Sequence, residues 1–215
     1  CATPDALFGR GTFPYDNSFA TTGAEGQNEA ICYAFGSSAV SNDIWYDWTA
    51  DCTGTATIDT CGSGPDTKIA AYDGPGCPAG AALACNDDTC GLQSEIQFAV
   101  TAGSVYTLQL GNFPGAGGGP SILNIDIAGT CPPLNDDCAT PAAIAGQGVF
   151  PFDSTLATTG AEGQKEAACY FFGSSAIDAD LWFEWTANIA GTATVDTCGT
   201  AHDTKIAAYD GSGCP

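Results

Sequence analysis

Two acidic triplets, Asn86-Asp87-Asp88 and Asn135-Asp136-Asp137, are the residues of this 215-residue chain best suited to binding chemistry. Calcium takes roughly six to eight oxygen ligands, and clustered Asp and Asn side chains supply them. Both triplets are therefore read as metal ligands, with calcium the expected cation. Their competing role is structural, because Asx side chains also cap nearby amides in turns. Catalytic groups are scarcer. The single histidine, His202, stands where an earlier copy of the same segment has Pro65, so it belongs to no repeated feature. Lys68 and Lys205 lie in strand-like segments among acids, which favour the ammonium over the free amine that a Ser-Lys dyad needs. The carboxylates are too numerous to single out a glycosidase couple. The chain is read as not an enzyme. Trp45 and Trp182 remain as contact aromatics. Each alternates out of phase with its apolar neighbours, and Trp45 falls beside Asp43 and Asp47, where an exposed ring could stack on a sugar or on a neighbouring copy. Burial under the long loop at 23–41 is the simpler role for it.

Composition sets the compartment. Twelve cysteines at this density persist as disulfides only where conditions are oxidising, and zinc sites would want Cys-x-x-Cys pairs or histidines. An extracellular or cell-surface location follows. With 25 acids against 4 bases the formal charge is −21, which repels nucleic-acid phosphates and anionic lipid. No apolar run is long enough to span a membrane as a helix.

Repetition organises the chain. Cys1-Ala2-Thr3-Pro4 returns as Cys138-Ala139-Thr140-Pro141, and ATTGAEGQ at 20–27 returns unchanged at 157–164. At that offset Trp45 matches Trp182, Trp48 matches Trp185, Cys61 matches Cys198, and DTKIAAYDG at 66–74 matches 203–211. Roughly two thirds of the overlapping positions are identical. A period of this size is a whole domain. The expected division is a complete repeat at 1–131, a stiff polar linker at 132–137 and a second, truncated repeat at 138–215.

Within a copy the hydrophobic pattern alternates with period two and is broken by Gly, Pro, Asn and Asp turns. Ile44, Tyr46 and Trp48 alternate in one strand, and Leu123, Ile125 and Ile127 in the last. Ile96, Phe98 and Val100, then Tyr106, Leu108 and Leu110 after the Thr101-Ala102-Gly103 turn, are read as a hairpin. Segments 54–60, 67–72 and 81–84 bring the count to about eight short strands, and 23–41 is read as a long loop with one helical turn. The fold class is all-β: tandem antiparallel, jelly-roll-like β-sandwich domains held by disulfides.

The order of Asn42-Asp43-Ile44-Trp45-Tyr46-Asp47-Trp48, then Asp66-Thr67-Lys68-Ile69-Ala70-Ala71-Tyr72-Asp73, then Asn86-Asp87-Asp88, then 94–111, resembles the bacterial pre-peptidase C-terminal domain. The likeness is to its cysteine-rich variety, repeated in tandem in large secreted bacterial proteins. It implies an exported, jelly-roll-like sandwich appended to proteases or surface proteins, binding calcium in some members and assisting substrate binding in others. Calcium-binding relatives carry an Asp-x-Asp pair ahead of the aromatic strand, where this chain has Ile44 and Leu181 just before its tryptophans.

The two copies also constrain the disulfides. Cys52 becomes Ile189, whereas Cys1, Cys32, Cys61 and Cys77 all have cysteine counterparts. The partner of Cys52 is thus sought among Cys85, Cys90 and Cys131, and Cys131, directly after the last strand, is chosen. Cys1 then pairs with Cys32, Cys61 with Cys90, and Cys77 with Cys85, and Cys138 pairs with Cys169 as the twin of the first. Cys198 and Cys214 are left to seek sulfurs elsewhere. Two functions fit this picture: a structural repeat of an extracellular fibre, filament or sheath, or a calcium-dependent carbohydrate- or matrix-binding accessory module of a secreted hydrolase or adhesin. The first is preferred on sequence, with neighbouring copies associating head to tail and completing the truncated repeat, as in a window on a longer polymer.

Overall fold

The computed structural model of the chain describes residues 1–215, which divide into two compact units, Cys1–Cys131 and Pro132–Pro215. The expected linker is not a free connector, because residues 132–137 belong to the second unit.

The first unit is a β-sandwich. Its strands are β1 (Asp5–Phe8), β2 (Gly11–Asp16), β3 (Ser41–Thr49), β4 (Thr53–Asp59), β5 (Thr67–Asp73), β6 (Ala84–Asn86), β7 (Glu95–Val100), β8 (Val105–Asn112) and β9 (Pro120–Thr130). They form a five-stranded sheet in the order β1-β3-β8-β5-β6 and a four-stranded sheet in the order β2-β9-β4-β7. All pairings are antiparallel except β1 with β3, which run parallel.

The hairpin expected of residues 95–111 does not form: β7 pairs with β4 in one sheet and β8 lies between β3 and β5 in the other. The reason is the core. Ile96, Phe98 and Val100 face Tyr106, Leu108 and Leu110 across the sandwich, with the Phe98 and Tyr106 rings 5.4 Å apart. The turn between them is a corner, in which the Gly103 amide donates to the Ala50 carbonyl at 2.8 Å and the Ala50 amide to that of Ser104 at 3.1 Å. Trp48 lies at the centre of this core, fully buried, and donates its indole N–H to the Gly9 carbonyl at 2.8 Å.

A smaller apolar cluster of Cys32, Trp45, Ala70 and Tyr72 lies on the outer face of the five-stranded sheet, apart from the sandwich core. The loop at 23–41 covers it and contains one 3-10 turn, Ala30–Cys32. Side chains hold this loop to backbone. Gln27 donates to the Val40 carbonyl at 2.9 Å and accepts from the Val40 amide at 3.0 Å, and Asp43 accepts from the Gly23 amide at 2.7 Å. Gly26, with φ of +70°, sits so close to Gln109 and Tyr72 that no side chain would fit there.

Four disulfides staple the unit. Cys52–Cys131 and Cys61–Cys90 coincide with the pairing drawn from the sequence, whereas Cys1 bonds Cys77 and Cys32 bonds Cys85. The exchange follows from the sheet. β1 lies beside β3, with Asp5 opposite Tyr46, while the loop after β5 is fixed to the next residue of β3 by the Gly76 amide donating to Asp47 at 2.9 Å. Cys1 and Cys77 therefore arrive at the same place. Cys32 and Cys85 meet on the outer face, because Cys85 stands opposite Ala70 in the β5–β6 pair.

In the second unit only β10 (Ala142–Ala145) and β11 (Phe183–Thr186) are strands, and they pair in parallel as β1 and β3 do. Its disulfide is Cys138–Cys214, the counterpart of Cys1–Cys77, and Cys169 and Cys198 are free thiols. The expected Cys138 to Cys169 bond is thus corrected by the same strand arrangement that corrects Cys1 to Cys32.

Candidate functional site

Three carboxylates converge at one edge of the five-stranded sheet. Asp66 immediately precedes β5, and Asp87 and Asp88 immediately follow β6; antiparallel pairing of β5 with β6, which sets Ile69 opposite Asn86, brings the two ends together. One oxygen from each of Asp66, Asp87 and Asp88 lies within 4.8 Å of the others. Backbone bonds fix the frame: Ser94 Oγ donates to the Asp87 carbonyl at 2.5 Å and Asn112 Nδ2 to the Asp66 carbonyl at 2.9 Å.

The carboxylate oxygens themselves are left open. Asp87 is 4% exposed, yet neither of its side-chain oxygens has a hydrogen-bond partner, nor does Oδ1 of Asp66. The nearest cation is Lys68, which is fully buried, with its Nζ 3.6 Å from Asp87 Oδ2 and donating at 3.1 Å to the Ser37 carbonyl. Burial raises the pKa of Asp87 against the pull of Lys68, and Asp66 is raised by burial and by the neighbouring Asp87 and Asp88 charges.

Two phenylalanines complete the site. Phe35 comes from the tip of the covering loop and Phe113 from the residue after β8; their rings meet edge to face at 6.5 Å, and Lys68 Nζ lies 5.5 Å from the centre of the Phe113 ring. Together Phe35, Asp66, Asp87, Asp88 and Phe113 line a cleft of about 110 Å³. Phe35 is 76% exposed and adopts φ of +47°, a left-handed conformation rare for a bulky residue. The turn is closed by paired backbone bonds between Ala34 and Ser37 at 2.9 and 3.0 Å. Its counterpart Phe172 repeats both features, with φ of +48° and 98% exposure.

The residues picked out from the sequence are distributed unequally around this cleft. Asp87 and Asp88 line it. Asn86 does not, because its Oδ1 accepts from Thr89 Oγ1 at 2.8 Å and from the Glu95 amide at 3.3 Å. The second triplet braces its own unit. Asn135 donates to the Trp182 carbonyl at 3.1 Å, Asp136 accepts from the amide and hydroxyl of Thr158 at 2.6 and 2.7 Å, and Asp137 accepts from the Ala139 amide at 2.9 Å. Trp45, at 9% exposure, is not a contact surface: it lies 6.0 Å from Tyr72 under the loop and donates to Asp43 at 2.8 Å. Trp182 makes the same bond to Asp180 at 2.9 Å and stacks on Tyr209. Asp66, Phe35 and Phe113 were missed. The repeated aromatic-glycine-serine-serine string at 35–38 and 172–175 was the available signal for Phe35.

An almost purely β sandwich stapled by disulfides, in a family associated with T9SS, marks an extracellular accessory domain of a bacterial protein. The chain belongs to the T9SS-associated family described as galactose binding domain-like, whose profile matches residues 1–115 and 134–214. That description is of a binding domain. Among solved structures the chain is similar to the pre-peptidase C-terminal domain of a collagenase from Bacillus anthracis. The two share 12% identity over 59% of this chain and 97% of that one, at a TM-score of 0.38. It is also similar to PliG of Aeromonas hydrophila, a periplasmic inhibitor of g-type lysozyme, with 15% identity, 59% and 100% coverage and a TM-score of 0.35. No curated protein matches the chain.

Proposed function

We propose that the chain is a non-catalytic accessory module that binds carbohydrate of an extracellular surface or matrix at the cleft of its first unit. The observation that carries this reading is Phe35, an aromatic side chain held out in solvent by a strained turn and set beside open carboxylates. Strain of this kind persists where surrounding structure enforces it, and it gathers at ligand contacts. A sugar ring offers an apolar face to stack on Phe35 and hydroxyls that donate to Asp66, Asp87 and Asp88, the division of labour usual in such sites. The family's description as galactose binding domain-like makes a neutral hexose the first ligand to try. Titration of the chain with galactose-bearing and other neutral glycans is expected to give saturable binding. Phe35→Ala should lose at least about tenfold in affinity, while Phe19→Ala, which removes a fully exposed ring away from the cleft, should bind unchanged. Absence of binding to every glycan tried, or a Phe35→Ala variant that binds like the parent, rejects the reading.

Self-association into a fibre is a second reading, favoured by exposed apolar side chains in the second unit. Phe183, Trp185, Val195 and Ile206 are exposed there, whereas Trp48, Ile58 and Ile69, the counterparts of the last three, are fully buried. The occupant proposed for that face is a second copy of this chain, since copies can cover like faces with like. Light scattering should then show mass rising with concentration and Trp185→Asp suppressing the rise; a monomer at all concentrations rejects it.

A further inference from the structure

Charge around the cleft does not balance. Asp66, Asp87 and Asp88 bring three negative charges and Lys68 returns one, which leaves a deficit of two positive charges. A buried carboxylate with no hydrogen-bond donor is costly unless a cation compensates it. Asp87 is ion-paired through Oδ2 to Lys68 at 3.6 Å, but its Oδ1 has no partner, and its position is enforced from behind by the Ser94 bond to its carbonyl. Side chains do not fill the gap: Phe35 and Phe113 line the cleft with hydrocarbon only. The separation of the three oxygens, within 4.8 Å, suits a hard cation that bonds oxygen at about 2.3 to 2.6 Å.

We propose that Asp66, Asp87 and Asp88 bind one calcium ion, and that the ion is the part of the cleft that holds the sugar's hydroxyls. Three carboxylates supply only some of the oxygens calcium requires, so positions remain for water or for two adjacent hydroxyls of a hexose stacked on Phe35. Calcium is favoured over magnesium because the ligands come from two separate chain segments, one of them exposed, and calcium tolerates the irregular, part-hydrated shell that magnesium does not. The role given to the ion in sugar binding rests on the carbohydrate reading above; the ion site itself does not.

Calorimetric titration of the chain with calcium chloride in physiological salt should show one site, with an affinity on the order of 10⁻⁴ to 10⁻³ M, the range of extracellular calcium modules. Thermal unfolding should shift upward as calcium rises, by mass action on the folded state. The double variant Asp66→Asn with Asp88→Asn should lose at least about tenfold in calcium affinity and the accompanying thermal shift. Phe35→Ala should keep both. No heat and no thermal shift, or a double variant that binds calcium like the parent, overturns the ion site. Glycan binding that survives chelation of calcium overturns its role in sugar recognition while leaving the carbohydrate reading intact. Calcium binding without any glycan binding overturns the carbohydrate reading, and with it the ion's role in sugar recognition, while leaving the ion site intact.

Discussion

The two units share roughly two thirds of their aligned residues and agree in one region while differing in another. The covering loop is built twice in the same way. Gln164 bonds the backbone of Ile177 in both directions at 2.9 Å, as Gln27 does Val40, and Asp180 accepts from Gly160 and Trp182 at 2.9 Å, as Asp43 does from Gly23 and Trp45. The sheets are not. Residues 53–59 and 67–73 are strands β4 and β5, whereas their counterparts at 190–196 and 204–210 form none. These shared bonds join residues no more than about twenty positions apart, within reach of the ATTGAEGQ string and the following Asp and Trp, and in the first unit Gln109 donating to the Glu25 carbonyl and Cys32–Cys85 add longer ties. β4 and β5 depend on distant chain instead: Thr57 lies opposite Asp126 of β9, and Ala71 opposite Leu108 of β8. Strand propensity is a preference for a packed, paired surface, and residues 190–210 pair with no strand.

Trp48 and Trp185 give the sharpest test of this contrast. Trp48 is fully buried among Phe98 and Tyr106, whereas Trp185 is 41% exposed, although both donate to the equivalent glycine carbonyl, at 2.8 and 2.6 Å. In urea unfolding, Trp48→Ala is expected to destabilise the first unit by about 3 to 5 kcal/mol, the cost of emptying a large core site. Trp185→Ala should cost under about 1 kcal/mol, the scale of a substitution at an exposed position. Equal losses would mean that the second unit packs its tryptophan as the first does.

The next effect concerns a staple that only one unit has. Cys52–Cys131 ties the end of β3 to the end of β9, and Ile189 occupies the equivalent of Cys52. Replacing both cysteines by Ala should lower the stability of the first unit by about 2 to 4 kcal/mol, with the loss lying in the unfolded chain's regained freedom. The free thiols supply the complementary readout. Alkylation without reduction should label Cys169 and Cys198, both in the second unit, and no cysteine of residues 1–131. Label on Cys52 or Cys131 in the parent chain would contradict the pairing.

That pairing shows what sequence could and could not yield. Substitution of one cysteine between near-identical copies narrows its partners, here to Cys85, Cys90 and Cys131, and position directly after the last strand then selected Cys131 for Cys52. Cys1 with Cys77 was out of reach, because it depends on β1 running parallel to β3, and alternation of side chains says which face a residue occupies but not which strand lies beside it. The same blindness turned β7 and β8 into a hairpin: two apolar rows separated by a short glycine turn fit either a hairpin or a corner between sheets. At the cleft, Asp87 and Asp88 were legible as an Asx run, whereas Asp66 is a lone acid brought to them by the β5–β6 pairing. Phe35 was hidden for a different reason. Aromatics are read as core by default, and only the positive φ and the exposure of its ring reveal a side chain held outward.

The smallest expected effect lies in the acids themselves, and its sign separates the two units again. Asp66 and Asp87 have pKa values raised above 3.8, by burial first; for Asp66 the repulsion of Asp87 and Asp88 follows, opposed by Lys68. An acid with a raised pKa holds its proton more tightly folded than unfolded. Its contribution therefore favours the fold at pH below 3.8 and is lost as pH rises through the folded value, so that at neutral pH the ionised cluster weakens the first unit. Asp203 in the second unit is exposed. With calcium chelated at pH 7, Asp66→Asn should raise the stability of the first unit slightly, by about 0.5 kcal/mol, while Asp203→Asn should leave the second unchanged. The gain from Asp66→Asn should vanish near pH 3, where the parent carboxyl is itself neutral, and subtracting the two pH profiles removes the opposite contribution of Asp16, whose pKa is lowered by Ser18. Added calcium should reverse the order at pH 7, because the parent then gains the ion and the variant does not. A variant less stable than the parent under chelation would show that Asp66 already has a compensating partner, and the excess negative charge assigned to the cleft would be wrong.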